Sequence, residues 1–73
     1  MLVHFQGGPL NGWRVSRDES SDEIVVGFKG PPSWTVTLFA ADVDWKAYES
    51  EYNMIGEYAK SPTGYEWKGK ISG

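Results

Sequence analysis

The sequence predicts a mainly β or α+β fold: one small antiparallel sheet of about five strands, strongly curled, with one short helix between the fourth and fifth. Three observations lead to this. Short runs of alternating apolar residues recur, Gly and Pro clusters separate them, and one stretch repeats its aromatic residues at helical spacing. The chain has 73 residues, so residues 1–73 form a single domain.

The first two strands are predicted over residues 2–6 and 12–17. Alternation places Trp13 and Val15 on the inward face of the second strand. Trp13 also stands beside the connecting turn, so we expect it near the periphery of the domain. Between the strands, residues 7–12 read Gly-Gly-Pro-Leu-Asn-Gly, which is typical of a turn. Its one apolar residue, Leu10, is expected to fold back onto the core.

The third strand, predicted over residues 23–29, carries the clearest β signal, because Ile24, Val26 and Phe28 alternate and β-branched residues dominate. Gly27 within it indicates a bulge or a close approach. Residues 30–33 end the strand with two prolines, and residues 34–39 are predicted as the fourth strand. The inward residues of the third and fourth strands are Ile24, Val26, Phe28, Val36 and Leu38.

Two patterns compete over residues 41–53. Alternation of charged and apolar residues from Asp42 to Ala47 favours a strand, but it lasts only six residues. Apolar residues spaced for one helix face continue much further, and we therefore predict a short helix. The residues on that face are Ala41, Trp45, Tyr48, Tyr52 and Ile55. Residues 54–60 and 65–71 then form a hairpin around the turn Ser61-Pro62-Thr63-Gly64.

Composition narrows the function classes. There is no cysteine and a single histidine, His4, so disulfides and a protein-only zinc site are not expected, and no cofactor is predicted. The net charge of −3 disfavours nucleic acid as a partner. No apolar run is long enough to cross a membrane, and no secretory leader is recognisable. We therefore expect a cytoplasmic protein.

The Gly7–Gly12 element, with the strand carrying Gly64-Tyr65-Glu66-Trp67, resembles a set of small uncharacterised proteins of actinobacterial phages and actinobacteria. Their N-terminal motif reads Gly-Gly-Pro-Leu-Asp-Gly, and Asn11 replaces the usual Asp here. Trp13 stands where a polar residue is more common. The resemblance implies a phage or prophage accessory protein, in the host cytoplasm or in the virion. It implies no chemistry and assigns no functional residue.

No catalytic set can be assembled from the sequence, so an enzyme is not expected. The glycine-rich turn joins two strands and contains Pro9, which removes an amide, so it is poorly suited to phosphate. His4 has no accompanying nucleophile and acid. The i, i+2 carboxylates Asp42 and Asp44, or Glu49 and Glu51, point to different helix faces. The acidic loop over residues 18–23 lacks the spacing of a calcium loop.

Aromatic residues interleave with lysines over 58–60 and 65–70, which could suit a stacking surface for single-stranded nucleic acid. Alternation places the rings and the lysines on opposite faces, so we expect the rings to build the core. Nucleic-acid binding is kept as a further alternative.

The chain has eleven aromatic residues, which is many for one small core. Exposed Trp on a domain of this size is typical of a protein contact. We therefore predict a non-enzymatic protein-binding module, an inhibitor or adaptor that docks on a host protein of unknown identity. Its acidic residues would steer association. The residues predicted for this contact are Trp13, Trp34, Asp18, Glu19, Asp22 and Glu23.

The alternative is a virion or assembly component, such as a decoration or connector protein, that self-associates into a homo-oligomer through an open sheet edge or an aromatic patch. Only the folded arrangement decides which rings and which sheet edges are exposed.

Overall fold

Six β-strands make up most of the computed structural model, which describes residues 2–16, 22–40 and 42–72. The strands are Leu2–Gln6 (β1), Arg14–Ser16 (β2), Glu23–Lys29 (β3), Thr35–Leu38 (β4), Met54–Ser61 (β5) and Gly64–Ser72 (β6). They form one curled sheet in the order β2-β1-β6-β5-β3-β4. A 3₁₀ helix, Trp45–Glu51, connects β4 to β5, and a shorter one, Gly8–Leu10, lies between β1 and β2.

The prediction of a small curled β sheet with one helix before the final hairpin is confirmed, but the all-antiparallel arrangement is wrong. β1 and β6 run parallel, with Phe5 opposite Tyr65, whereas the other neighbours are antiparallel. The sheet also has six strands rather than about five. Because β6 pairs with β5 on one side and β1 on the other, the first and last strands of the sequence are neighbours inside the sheet.

The main core lies on one face of the sheet, where the strands curl around their own apolar side chains. The predicted inward residues of β3 are buried, and Leu10 is fully buried, as expected for a turn that folds back. Half-buried side chains from the edge strands and from β5 and β6 complete the cluster. The buried members are Val3, Phe5, Leu10, Ile24, Val26, Phe28, Tyr58 and Tyr65.

Strand boundaries differ from the prediction mainly at the edges. β3 matches residues 23–29, but β4 is limited to Thr35–Leu38 and β2 to Arg14–Ser16. Trp13 was predicted inward, and this is wrong: its side chain is 46% exposed. Its amide donates to the Leu10 carbonyl and its carbonyl accepts the Phe5 amide, so Trp13 lies where the pairing of β1 and β2 gives way to the turn, at the rim of the core.

The predicted helix is present, but it is a 3₁₀ helix, and none of its residues is buried. Asp44 accepts a hydrogen bond from the Lys46 amide at its start. Tyr52, which follows it, lies against Gly27, where an added Cβ would stand 2.8 Å from the ring. The close approach predicted from Gly27 is therefore confirmed, and its cause is this ring. Phe39 packs against both Tyr48 and Tyr52 and forms a second, smaller apolar contact.

The turn over residues 7–12 is fixed to the sheet by one buried side chain. The Tyr58 hydroxyl accepts a hydrogen bond from the Leu10 amide at 2.9 Å and donates one to the Gly7 carbonyl at 2.7 Å. Asn11 Oδ1 accepts the Gly7 amide proton at 2.8 Å. Burial raises the pKa of the Tyr58 hydroxyl, so it stays protonated and can donate.

Trp67 on β6 lies where two glycines leave room for its indole. A Cβ added to Gly8 or Gly56 would collide with the Trp67 ring. The register between β5 and β6 shifts twice, between Ile55 and Gly56 and between Glu57 and Tyr58. In the described ranges, no helix has the length and apolar character needed to span a membrane.

Candidate apolar binding cleft

An apolar cleft of about 390 Å³ opens at the end of the curled sheet where β3 finishes and β4 and β5 begin. The same end receives the connection between β1 and β2. We call this feature the tryptophan cleft, because it brings together two exposed tryptophans that are 21 residues apart in the sequence. The described residues that line it are Pro9, Leu10, Trp13, Phe28, Trp34, Val36, Asn53 and Met54.

Both backbone polar groups of Trp13, its amide and its carbonyl, are hydrogen-bonded within the protein. Its amide donates to the Leu10 carbonyl at 2.9 Å, and its carbonyl accepts the Phe5 amide at 3.0 Å. The turn that precedes it is fastened by Tyr58. The backbone that carries the Trp13 indole is therefore held in place, while the ring itself reaches solvent.

Trp34 forms another wall and is the most exposed large apolar side chain of the described chain, at 66%. Its ring lies over Gly30, where an added Cβ would approach to 2.7 Å. Asn53 supports this loop in two ways. Its side-chain Oδ1 accepts a hydrogen bond from the Gly30 amide at 2.7 Å, and its backbone amide donates one to the Phe28 carbonyl at 2.8 Å. The tryptophan therefore stands on a backbone that is tied to β3.

The floor of the cleft belongs to the core. Leu10 is completely buried and Phe28 is 5% exposed, while Val36 and Met54 are half-buried. Displacing water from such a surface favours binding of an apolar group by roughly 25 cal/mol per Å² of area covered. The volume lies near the lower end of the range of ligand pockets, about 300–1,000 Å³, and suits one or two large side chains.

The lining offers recognition rather than chemistry. None of the described lining residues is charged, and the one polar side chain, Asn53, already uses its oxygen within the protein. General acid–base or nucleophilic catalysis needs a positioned titratable group. The cleft supplies none among its described residues, so what this arrangement can do is bind an apolar group between aromatic walls.

The predicted acidic residues do not join the tryptophans. Glu23 begins β3 while Phe28 lies five residues further along it, a separation of about 17 Å in a strand. Asp22 is exposed beside Glu23, and its carbonyl accepts the Lys60 amide. Asp18 and Glu19 lie outside the described residues. Of the predicted acids, the two whose positions are described, Asp22 and Glu23, therefore lie at the opposite end of the sheet from the tryptophan cleft.

Glu23 has a different neighbour. The register places Glu23 opposite Ala59 and Val25 opposite Glu57, so the two glutamates are diagonal neighbours on the same face. Burial, followed by the charge of Glu23 and a hydrogen bond with it, raises the pKa of Glu57. This pair affects stability and lies far from the tryptophan cleft.

The glycine-rich turn uses its amides internally. Of the five amide groups in residues 7–12, those of Gly7, Leu10, Asn11 and Gly12 donate within the protein. A phosphate-binding loop needs several amides pointing at the ligand. The described contacts instead make this motif a fastened turn whose role is to place Leu10 and Trp13.

The other predicted chemistry is not assembled by the described residues. His4 is exposed on β1 and lines a small pocket of about 220 Å³ with Lys60 and Ser61, at the hairpin end of the sheet. No group of three or more possible metal ligands occurs in the described ranges. Tyr58 and Tyr65 are core residues, so their rings are not available for stacking on bases.

Sequence reasoning placed both tryptophans in one predicted contact, but it grouped them with the acidic residues and missed Asn53 entirely. The signal that could have found Asn53 is its position just after the helix and before β5, where a short amide side chain commonly bonds to nearby backbone. Pro9, Phe28 and Met54 were treated as turn or core residues. Their contribution to the cleft depends on the pairing of distant strands.

Comparison of this chain with models of protein families, with curated proteins and with solved structures finds no match. The tryptophan cleft is therefore the feature from which a function can be argued.

Proposed function

We propose that this protein is a non-enzymatic protein-binding module that receives an apolar side chain of its partner in the tryptophan cleft. The observation that carries the proposal is the convergence of Trp13 and Trp34, exposed to 46% and 66%, on one cleft without charged lining. Tryptophan is the residue most enriched at the energetic centres of protein interfaces. The motif resemblance of the Gly7–Gly12 turn supports a phage-type accessory protein whose partner is a host protein.

The exposed rings have no evident structural reason to be at the surface. Exposing such area costs solubility, and contiguous apolar patches on small monomers commonly mark interaction sites. The loop under Trp34 and the turn before Trp13 are both held by hydrogen bonds. Such preorganisation reduces the entropy lost on binding, which favours affinity.

The test is capture from an actinobacterial lysate followed by affinity measurement with the purified partner. We expect Trp34→Ala to weaken binding at least tenfold, about 1.4 kcal/mol. Tyr48→Ala is the matched control, because Tyr48 is 45% exposed but lies outside the tryptophan cleft. Equal binding by wild type and Trp34→Ala would exclude the cleft as the contact surface.

A second candidate, self-association in a virion or assembly, is favoured by one observation. β2 and β4 end the sheet, and among the described strands nothing pairs with their outer sides. Open edges pair readily with other chains. Sedimentation at high protein concentration distinguishes the two functions: a monomer at all concentrations contradicts self-assembly, whereas a defined oligomer that resists Trp34→Ala favours it.

A further inference from the structure

The hydrogen-bonding direction of β4 follows from one contact. The Phe39 amide bonds to the Val25 carbonyl at 2.9 Å, so residues 25 and 39 form a hydrogen-bonded pair. Antiparallel ladders alternate bonded and non-bonded pairs. Val36 lies opposite Phe28 and Leu38 lies opposite Val26. Val36 and Leu38 therefore occupy the non-bonded positions of the β3–β4 ladder. Their amides and carbonyls therefore point away from β3, toward the open edge.

The side chains at those same positions face the core. Val36 and Leu38 are half-buried against the main cluster, and Val36 also lines the tryptophan cleft. A strand added antiparallel to this edge would form its hydrogen-bonded pairs with Val36 and Leu38. Directly paired residues share a face of the sheet, so the side chain of the partner residue opposite Val36 would project toward the cleft.

The charges around this edge also select a partner. No residue of β4 is charged, and β4 lacks the lysine or proline that commonly protects an edge. On the outer face, Lys29 lies opposite Thr35 and makes no ion pair with any described residue. An added strand would lie about 10 Å from β3, two strand spacings away. A long acidic side chain placed opposite Thr35 could meet Lys29 across the small threonine.

We propose that the partner segment is an extended peptide strand that pairs antiparallel with the open edge of β4 and inserts an apolar side chain into the tryptophan cleft. Its sequence would alternate, with apolar residues toward the cleft and an acidic residue on the outer face near Lys29. This inference rests on the proposed function, because it names the kind of segment that the same cleft receives. Backbone pairing at β4 would supply affinity, and the cleft would supply specificity.

The test uses peptides selected from a random twelve-residue display library against the wild-type protein, with Trp34→Ala as counter-selection. Selected peptides are then resynthesised with single N-methyl groups along the backbone. We expect N-methylation at alternate residues, those carrying the apolar side chains, to weaken binding at least tenfold. The intervening residues should tolerate it, because their amides face away from β4.

Amide hydrogen exchange on the protein gives an independent readout. Peptide binding should slow exchange at Val36 and Leu38 at least tenfold, while Thr35 and Thr37, already paired with β3, change little. A Lys29→Glu variant should reverse the preference for acidic outer-face residues in the selected peptides.

The outcomes separate the two proposals. Peptides that require Trp34 but tolerate every N-methyl group, without protection of Val36 and Leu38, overturn strand pairing and leave the cleft as a binding site. A library that yields no peptide dependent on Trp34 overturns both. If Val36 and Leu38 are protected from exchange without peptide, and this protection depends on protein concentration, the β4 edge pairs with a second copy of the chain. That result overturns the proposal of a peptide partner.

Discussion

Tyr58 illustrates how a single hydroxyl organises the N-terminal turn. It accepts from the Leu10 amide and donates to the Gly7 carbonyl, while its ring packs edge-on against Phe5 at 5.0 Å. Tyr58→Phe retains the ring but leaves two backbone groups without partners. Because a buried unpaired group costs about 1–3 kcal/mol, we expect the free energy of unfolding in urea to fall by about that amount.

Tyr48→Phe is the control for this experiment, since it removes the hydroxyl of an exposed ring. An unchanged free energy of unfolding for Tyr58→Phe would mean that water replaces both bonds and that the turn is not fastened as described.

Asn11 tests the physical reason for the motif. Its Oδ1 accepts the Gly7 amide, a role that an aspartate oxygen can perform equally well. We expect Asn11→Asp to change the free energy of unfolding by less than about 0.5 kcal/mol, and Asn11→Ala to lower it by about 1 kcal/mol. Thermal unfolding of both variants measures the difference. Equal loss in both variants would contradict the acceptor role.

Glu57 makes stability depend on pH. Its pKa is raised in the folded protein, so folding favours the protonated carboxyl. The resulting stabilisation is fully present below the pKa of the unfolded chain and is lost as pH rises through the folded pKa. We therefore expect Glu57→Gln to be more stable than wild type at neutral pH, with the difference disappearing in acid.

Urea unfolding at acidic and at neutral pH measures the difference in stability between Glu57→Gln and wild type. Glu23→Gln should give part of the same gain at neutral pH, because it removes the neighbouring charge. Glu66→Gln, at an exposed position on β6, serves as the control. A Glu57→Gln variant less stable than wild type at neutral pH would contradict the cost of burying the Glu57 carboxylate beside Glu23.

At the scale of elements, β5 and the Gly7–Gly12 turn fit together through the Trp67 indole. Gly56 faces that ring closely enough that a Cβ would collide with it. We expect Gly56→Ala to lower the free energy of unfolding by about 1–3 kcal/mol, the usual cost of overpacking. The double variant Gly56→Ala/Trp67→Phe should lose less than the sum of the single variants, because the smaller ring relieves the collision.

The strands were easier to predict than the helix, for a physical reason. In β3, three alternating apolar residues meet a core on one side, so Ile24, Val26 and Phe28 carry the period of the strand in the sequence itself. Residues 45–51 pack only lightly, with no buried side chain. Their aromatic spacing indicated a helix but could not distinguish the tighter 3₁₀ geometry, which local hydrogen bonds decide.

At the scale of the whole molecule, the position of β6 governs stability. It is hydrogen-bonded to β5 on one side and to β1 on the other. A chain that stops at residue 61 lacks this strand and leaves Phe5 and Tyr58 without the Tyr65 and Trp67 rings. We expect this truncated chain to lose its near-ultraviolet circular dichroism, which reports fixed aromatic packing.

Adding a synthetic peptide of residues 62–73 should restore part of that signal, because the missing strand can pair without covalent connection. Retention of the full aromatic signal by the truncated chain alone would contradict the central role of β6.

The tryptophan cleft was only partly predictable. Exposed positions for Trp13 and Trp34 follow from the turns beside them, and both rings are exposed in the structure. Their convergence depends on the sheet order, in particular on the parallel contact between β1 and β6, which joins the N-terminal hairpin to the rest. Local patterns carry no information about that pairing, so the acids were grouped with the tryptophans although Glu23 lies at the other end of β3.

The central position of β6 also has a consequence for synthesis in the cell. A ribosome releases the chain from its N-terminus, so β1 and β2 emerge long before residues 64–72 exist. Until then, the hairpin has no neighbour on which to close its apolar face. Assembly of the sheet must therefore wait until these residues have left the ribosome, and a nascent chain stalled before them would expose Val3, Phe5 and Trp13 to chaperones and proteases.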